Sequence, residues 1–172
     1  TIVYDDSSKL LIASGNARLR NGPLLLIAER VEFDRNASIA MASGNAILTV
    51  GAFRALADSM TINMSTGDVT AINFRMGFDP VVTEGKKAER RDGIIRAEEV
   101  NLFFRENNPW EPSLRISNFE LDPEEGTFAG RGISFRLGDF TLAKLPRLKT
   151  KAKDPIFEGR FSVGEDDNLG WH

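Results

Sequence analysis

The 172-residue chain has no cysteine and a single histidine, His172, at its last position. That excludes disulfides, thiolate nucleophiles, Cys/His zinc sites and any catalytic triad needing an internal histidine. Long hydrophobic runs are missing too. The longest, Leu24 to Ala28, is far short of the ~20 apolar residues that a membrane-spanning helix needs. Neither sign of charge dominates: 22 Lys and Arg against 25 Asp and Glu leave a net −3, with 41% hydrophobic residues. A histone-like polycation and simple disorder are therefore excluded. The length fits one domain, large enough to bury about two-thirds of its unfolded surface without covalent staples. Lack of cysteine suits the cytosol and the periplasm equally. The chain opens at Thr1 with no signal peptide in view, so a matured or trimmed fragment of a longer parent is expected.

What is present is alternation. Ala17-Arg18-Leu19-Arg20, Val31-Glu32-Phe33-Asp34 and Ile133-Ser134-Phe135-Arg136-Leu137 each place apolar and polar residues at a period of two. That period makes strands with one dry and one wet face. Turn formers separate them: Asn21-Gly22-Pro23, Ser43-Gly44-Asn45, Ser65-Thr66-Gly67-Asp68, Arg91-Asp92-Gly93 and Asp122-Pro123-Glu124-Glu125-Gly126. A repeat runs through the pattern. Ala13-Ser14-Gly15-Asn16-Ala17-Arg18-Leu19 returns as Ala42-Ser43-Gly44-Asn45-Ala46-Ile47-Leu48, a shift of 29. At the same shift Ile27-Ala28-Glu29-Arg30-Val31-Glu32-Phe33 aligns with Leu56-Ala57-Asp58-Ser59-Met60-Thr61-Ile62. Weaker echoes start at Ile95 and Ala129. Twenty-nine residues hold two strands and their turns, so one β unit recurs. Phe53, Leu56, Ala57, Met60 and Met64 also follow a helical spacing, but the repeat aligns them with a strand. The expectation is an all-β, elongated, folded-over roll of many short, mainly antiparallel strands, whose end strands offer edges for pairing.

The two A-S-G-N-A segments, each followed by alternation and then by an Ala-acidic strand (Ala28-Glu29, Ala57-Asp58), resemble the OstA-like lipopolysaccharide-assembly family of Gram-negative envelopes. Later residues look like the LptD-type branch of that family, where a soluble N-terminal domain gives way to an outer-membrane barrel. These are Trp110, Leu114-Arg115-Ile116, Gly126-Thr127-Phe128-Ala129, Ile133 to Gly138, Leu145-Pro146 and Gly159-Arg160-Phe161. The chain departs from that branch in lacking its cysteines and in having few prolines before the junction. The resemblance implies a β-jelly roll whose interior carries the acyl chains of lipopolysaccharide. It also implies strand-to-strand docking with a periplasmic bridge of the same fold, on the periplasmic side of the outer membrane. If a barrel follows, an outer-membrane lipoprotein plug is implied as a further partner. Residues 1–142 would be the β-roll and 143–172 a basic junction towards a barrel outside this chain. A stand-alone periplasmic bridge of the LptA type is the alternative within the family. A carbohydrate-active β-solenoid or adhesin is the alternative from another class.

The paired carboxylates Asp5-Asp6, Glu98-Glu99, Glu124-Glu125 and Asp166-Asp167 read as turns and solvated faces rather than a glycosidase pair. Asp166-Asp167-Asn168 lacks the spacing of a calcium loop, and Gly130-x-Gly132 lacks the third glycine of a dinucleotide loop. Catalytic residues, metal and cofactor are therefore not expected. The apolar stripe Leu19, Val31, Phe33, Leu48, Met60, Ile62, Ile133, Phe135 and Leu137 is the candidate lipid-binding interior, with ordinary core packing as the other reading. Met41, Met60, Met64 and Met76 are flexible enough to adapt to mobile chains, or to serve as plain core. Lys144, Arg147, Lys149, Lys151 and Lys153 form a run without an acid. It reads either as a solvated linker or as a contact for lipid phosphates and anionic headgroups. Nucleic-acid binding is not expected, because the chain is acidic overall and the run has no interleaved aromatics.

Overall fold

In a computed structural model the described residues are 2–5, 9–51, 53–78, 81–104, 112–122 and 124–151. They form eleven strands: β1 (Ile2–Asp5), β2 (Leu10–Asn21), β3 (Leu24–Asp34), β4 (Ile39–Val50), β5 (Phe53–Asn63), β6 (Val69–Phe78), β7 (Val81–Arg91), β8 (Ile94–Phe104), β9 (Pro112–Asp122), β10 (Thr127–Leu137) and β11 (Phe140–Lys151). All lie in one antiparallel sheet in the order β1 to β11, each hydrogen-bonded to its neighbours in sequence. The helical spacing over 53–64 is overridden, since β5 takes Phe53–Asn63 as strand. β11 runs across the boundary expected at 142/143, so residues 143–151 continue the sheet. Lys153, Trp110 and residues 159–161 lie outside the described residues.

An eleven-residue strand spans about 37 Å, and its apolar side has to be buried against a second layer. The strands resolve this by bending at their middles along a common crease. In β2, residues 15 and 16 stand opposite the single residue Glu29 of β3, and in β4, Gly44 and Asn45 stand opposite Asp58 of β5. These are β-bulges, which bend and twist a strand locally. The bending residues take left-handed backbone angles: Asn16 (φ 55°), Asn45 (φ 49°), Asn73 (φ 49°) and Glu99 (φ 51°). Asparagine tolerates that region better than most residues. The acidic residues of the repeat secure the bend from the neighbouring strand. Asn45 Nδ2 donates to Glu29 Oε1 at 2.8 Å, Asn73 Nδ2 to Asp58 Oδ2 at 2.7 Å, and Lys86 Nζ to Glu99 Oε1 at 3.1 Å. Gly44 is required beside Glu29, because a side chain there would place its Cβ 2.8 Å from that of Glu29.

The crease divides every long strand into an upper half, on the side of the turns at 22–23, 51 and 138–139, and a lower half, on the side of the turns at 35–38, 64–68 and 92–93. Crossing it switches which residues face inward. In β3, Leu26 and Ala28 are buried above the crease and Val31 below it; in β5, Ala55 and Ala57 above, Met60 and Ile62 below. Both halves contribute to one apolar cluster. The Nδ2 of Asn21, at the upper tip of β2, reaches the Sδ of Met64, at the lower tip of β5, at 3.9 Å. The sheet has thus folded its dry face onto itself. Alanine is the commonest residue in the buried set, which lets the two halves approach closely. Phe74 lies over Gly85, its direct cross-strand partner, where an added Cβ would come within 2.7 Å of the ring.

Asn73→Ala should lower stability by about 2 kcal/mol, by losing the bond to Asp58 and straining the left-handed backbone. Asn73→Gly should cost about half as much, because glycine keeps the backbone angle at ease. Denaturant titration of the two variants measures both values.

Candidate functional site

The expected apolar stripe converges on the interior. Val31, Leu48, Met60, Ile62 and Ile133 are each no more than 4% exposed, and Leu19, Phe33 and Phe135 are half-buried against them. Leu137 is half-buried at the end of β10, opposite Phe140, and stands apart from the cluster. Several interior residues fall outside the stripe: Leu26, Phe74, Val100, Ile116 and Phe128. Leu26 sits in an unbroken apolar run, where alternation gives no cue. Of the methionines, Met60 is buried, Met64 and Met76 pack against the core, and Met41 is on the outer face at 41% exposure.

The interior continues to both rims of the sheet. At one rim, Ile2 and Tyr4 pair with Ala13 and Leu11, on the inward side of the lower half, and are 73% and 44% exposed. At the other, Phe140 and Leu145 pair with Leu137 and Ile133, on the inward side of the upper half, and are 67% and 40% exposed. Leu142, the extra residue of a bulge in β11, is 66% exposed. Burial alone explains the middle of the sheet, but the end rows are inward-facing and uncovered. Both rims also carry open backbone edges. β1 covers β2 only from Leu10 to Ala13, and β11 has no strand on its far side among the described residues.

The basic run divides between halves. Lys144 is exposed on the outer side of the upper half, opposite Ser134. Arg147 and Lys149 are exposed on the outer side of the lower half, opposite Arg131 and Ala129; Lys151 holds the next register position, opposite Thr127. Like charges directly across a ladder, as in Arg131 and Arg147, destabilise it slightly. Beside them lies a depression of about 380 Å³, lined among others by Lys87, Glu89, Arg96, Glu98, Glu120 and Arg131. Its charges largely pair off, with Lys87 to Glu89 at 2.6 Å and Arg96 to Glu120 at 2.8 Å. Of the paired carboxylates, Glu99 serves the crease, and Glu124 and Glu125 donate their backbone N–H groups to Asp122 Oδ1 in a turn. Asp6 and Asp166-Asp167 lie outside the described residues, as does the side chain of Asp5. Among the described residues no group of three His, Cys, Asp or Glu could hold a metal ion, and no helix is long and apolar enough to cross a membrane.

The class defined by these features is a β-roll made from one creased antiparallel sheet, with an apolar interior that reaches two open rims. No protein-family model matches the chain, and no curated protein matches it in sequence. Among solved structures it is similar to LptH of Pseudomonas aeruginosa, the LptA-homologous periplasmic component of a lipopolysaccharide transport device. The identity is 12% and the TM-score 0.47, over 74% of this chain and 94% of that one. At that level no residue role passes from one chain to the other.

Glu89 has its carboxyl held below its ordinary pKa of 4.5, chiefly by the hydrogen bond from Lys87, whose own pKa is raised by the same contact. A lowered carboxylate stabilises the fold at neutral pH, and that contribution fades as pH falls through its folded value. Both groups are largely solvated, so the effect on stability is small. Lys87→Met should return the Glu89 carboxyl to its ordinary range, which side-chain NMR titration reads directly.

Proposed function

We propose that this chain is a non-enzymatic lipid-transport module of the bacterial envelope, sheltering the acyl chains of lipopolysaccharide between the halves of its sheet. More narrowly, it is the N-terminal periplasmic domain of an LptD-like translocon, working on the periplasmic side of the outer membrane. The observation carrying the reading is the interior's continuity: inward-facing apolar rows end uncovered at Ile2 and Tyr4 on one rim and at Phe140 and Leu145 on the other. A core built only for stability would close its ends with polar or charged side chains. The motif resemblance, and not the geometry, supplies the identity of the lipid and the choice of branch.

Physical arithmetic shapes the mechanism. Each buried methylene gains about 0.8 kcal/mol, so ten gain about 8 kcal/mol before the costs of ordering and desolvation. The central residues are already covered by one another, with Leu26, Ile62, Ile116 and Ile133 at most 1% exposed. An acyl chain reaches them by parting the halves about the crease. Hydrocarbon then replaces side-chain contacts with similar contacts, so the net affinity stays modest and the cargo keeps moving. The rim residues and the half-buried Leu19, Phe33, Phe135 and Leu137 meet the lipid first. Arg147 and Lys149, with Lys144, Lys151 and Lys153 of the same run, offer charge to its phosphates at about 1 kcal/mol each. The uncovered edge of β2 beyond Ala13 is the docking strand for a periplasmic bridge of the same fold, and an outer-membrane lipoprotein is a further partner if a barrel follows. Nothing in the sequence supplies an ATP site, so the drive comes from partners.

Photo-crosslinking tests the cargo. A benzophenone side chain at Phe33 or Phe135 should crosslink a lipid A analogue, whereas one at Met41 on the outer face of the lower half should not. Equal labelling at the outer position, or none at the inner ones, rejects the reading. Proline at alternate positions of residues 15–21 should abolish the bridge complex while circular dichroism still shows a folded sheet. A parent reading frame continuing for roughly several hundred residues with lipid-facing alternation would establish the translocon branch.

A further inference from the structure

The outer face of the sheet divides by charge at the crease. In the lower half, cations and carboxylates interleave and pair, as between Lys87 and Glu89 and between Arg96 and Glu120. The upper half differs. From β2 to β6 its strand segments contain four arginines and no acidic residue, in a chain whose net charge is −3. Cross-strand register aligns them in two rows. In one, Arg18 stands opposite Ile27, Ile27 opposite Ile47, Ile47 opposite Leu56 and Leu56 opposite Arg75. In the other, Arg20 stands opposite Leu25, Leu25 opposite Thr49 and Thr49 opposite Arg54.

The result is an aliphatic band, with Leu56 42% exposed and Leu25, Ile27 and Ile47 half-buried, bracketed by exposed arginines. At about 4.8 Å per strand, the first row spans about 19 Å. None of the four guanidinium groups has a carboxylate partner among the described residues; Arg75 instead leans over the ring of Phe103, 5.8 Å from its centroid. The row continues past one acid, Glu84, to Arg115 and Lys144.

We infer that this face docks onto an anionic phospholipid surface. A soluble face normally mixes both signs of charge and hides its aliphatics. Nucleic acid would call for stacking aromatics rather than a band of isoleucine and leucine. Guanidinium groups forming bidentate contacts with phosphate, around aliphatic side chains that settle at the headgroup level, match a flat anionic bilayer in both charge and polarity. The inference is independent of the acyl-chain reading, since it concerns the opposite face of the sheet and needs no lipopolysaccharide.

Co-sedimentation of the purified chain with phospholipid vesicles tests it. Vesicles of phosphatidylcholine containing about one-third phosphatidylglycerol should bind the chain, pure phosphatidylcholine vesicles should not, and salt should weaken the binding. Arg18→Glu, Arg20→Glu and Arg54→Glu together should reduce the partition by more than about a hundredfold, at about fivefold for each cation removed. Leu56→Ser should reduce it severalfold without altering charge. As a control, Arg30→Glu with Arg131→Glu, on the outer face of the lower half, should change it less than about tenfold. Absence of phosphatidylglycerol-dependent binding, equal loss in the control per charge reversed, or retention of polyglutamate or an oligonucleotide in place of the vesicles would each overturn the inference.

Discussion

A sheet with one greasy face and no second layer has only itself to lie against. Everything else in this molecule follows from that constraint. Eleven antiparallel strands in sequence order leave one dry surface far too large to expose, and no helix or second sheet shares the described chain. Bending each strand at its middle halves the length of the element and brings the two dry areas together. The bend has to fall at the same place in every strand, since a single misplaced bulge would shift register and turn apolar residues outward. Register confirms a common line, from the bulge at residues 15–16 through Glu29, Asn45, Asp58, Asn73, Lys86 and Glu99 to Ser117 and Gly132.

The repeat encodes that line. An Ala-acidic pair in one strand and an asparagine in the next are two parts of one device: a left-handed turn of the backbone at the asparagine, and a carboxylate placed to accept from its amide. Further along the sheet the chemistry is exchanged but the geometry kept. Lys86 with Glu99 takes over the polar contact, and Ser117 Oγ donates to the Gly132 carbonyl at 3.4 Å. This explains why the 29-residue match is strong at first and fades. The crease needs a residue at ease in a left-handed bend and a polar partner, and several pairs of residue types meet that need.

The fold was legible in the sequence because period-two alternation and turn formers are local signals. The interior was legible in part. Val31, Met60 and Ile62 announce themselves by alternation, but each strand changes inward parity at its bend, so a single alternating frame loses Leu26, Phe74 and Ile116. The reach of the sheet beyond residue 142 was hidden for another reason. Lys144, Arg147 and Lys149 look like a linker when read in isolation, and it is their pairing with β10 that makes them strand. The arginine-and-aliphatic band of the outer face is the least legible feature. Arg18, Ile27, Ile47, Leu56 and Arg75 are scattered over 58 positions and become neighbours only through four successive registers.

The two faces of the upper half therefore answer different demands with the same strands. Inward residues there, such as Leu26, Leu48 and Ile133, are covered by the opposing half, and a molecule entering between them must separate the halves. Outward residues such as Leu56 keep part of their aliphatic surface in water. That surface costs roughly 25 cal/mol for each Å² left exposed unless another apolar surface approaches. A sheet held against a bilayer by its outer face would keep its crease and its rims clear, because the bend line and the two edges lie at the margins of that face. Parting the halves would then leave the attached half undisturbed. The left-handed residues of the crease lie between the two halves' hydrogen-bonded ladders, so the bend and the outer face are built from different residues of the same strands.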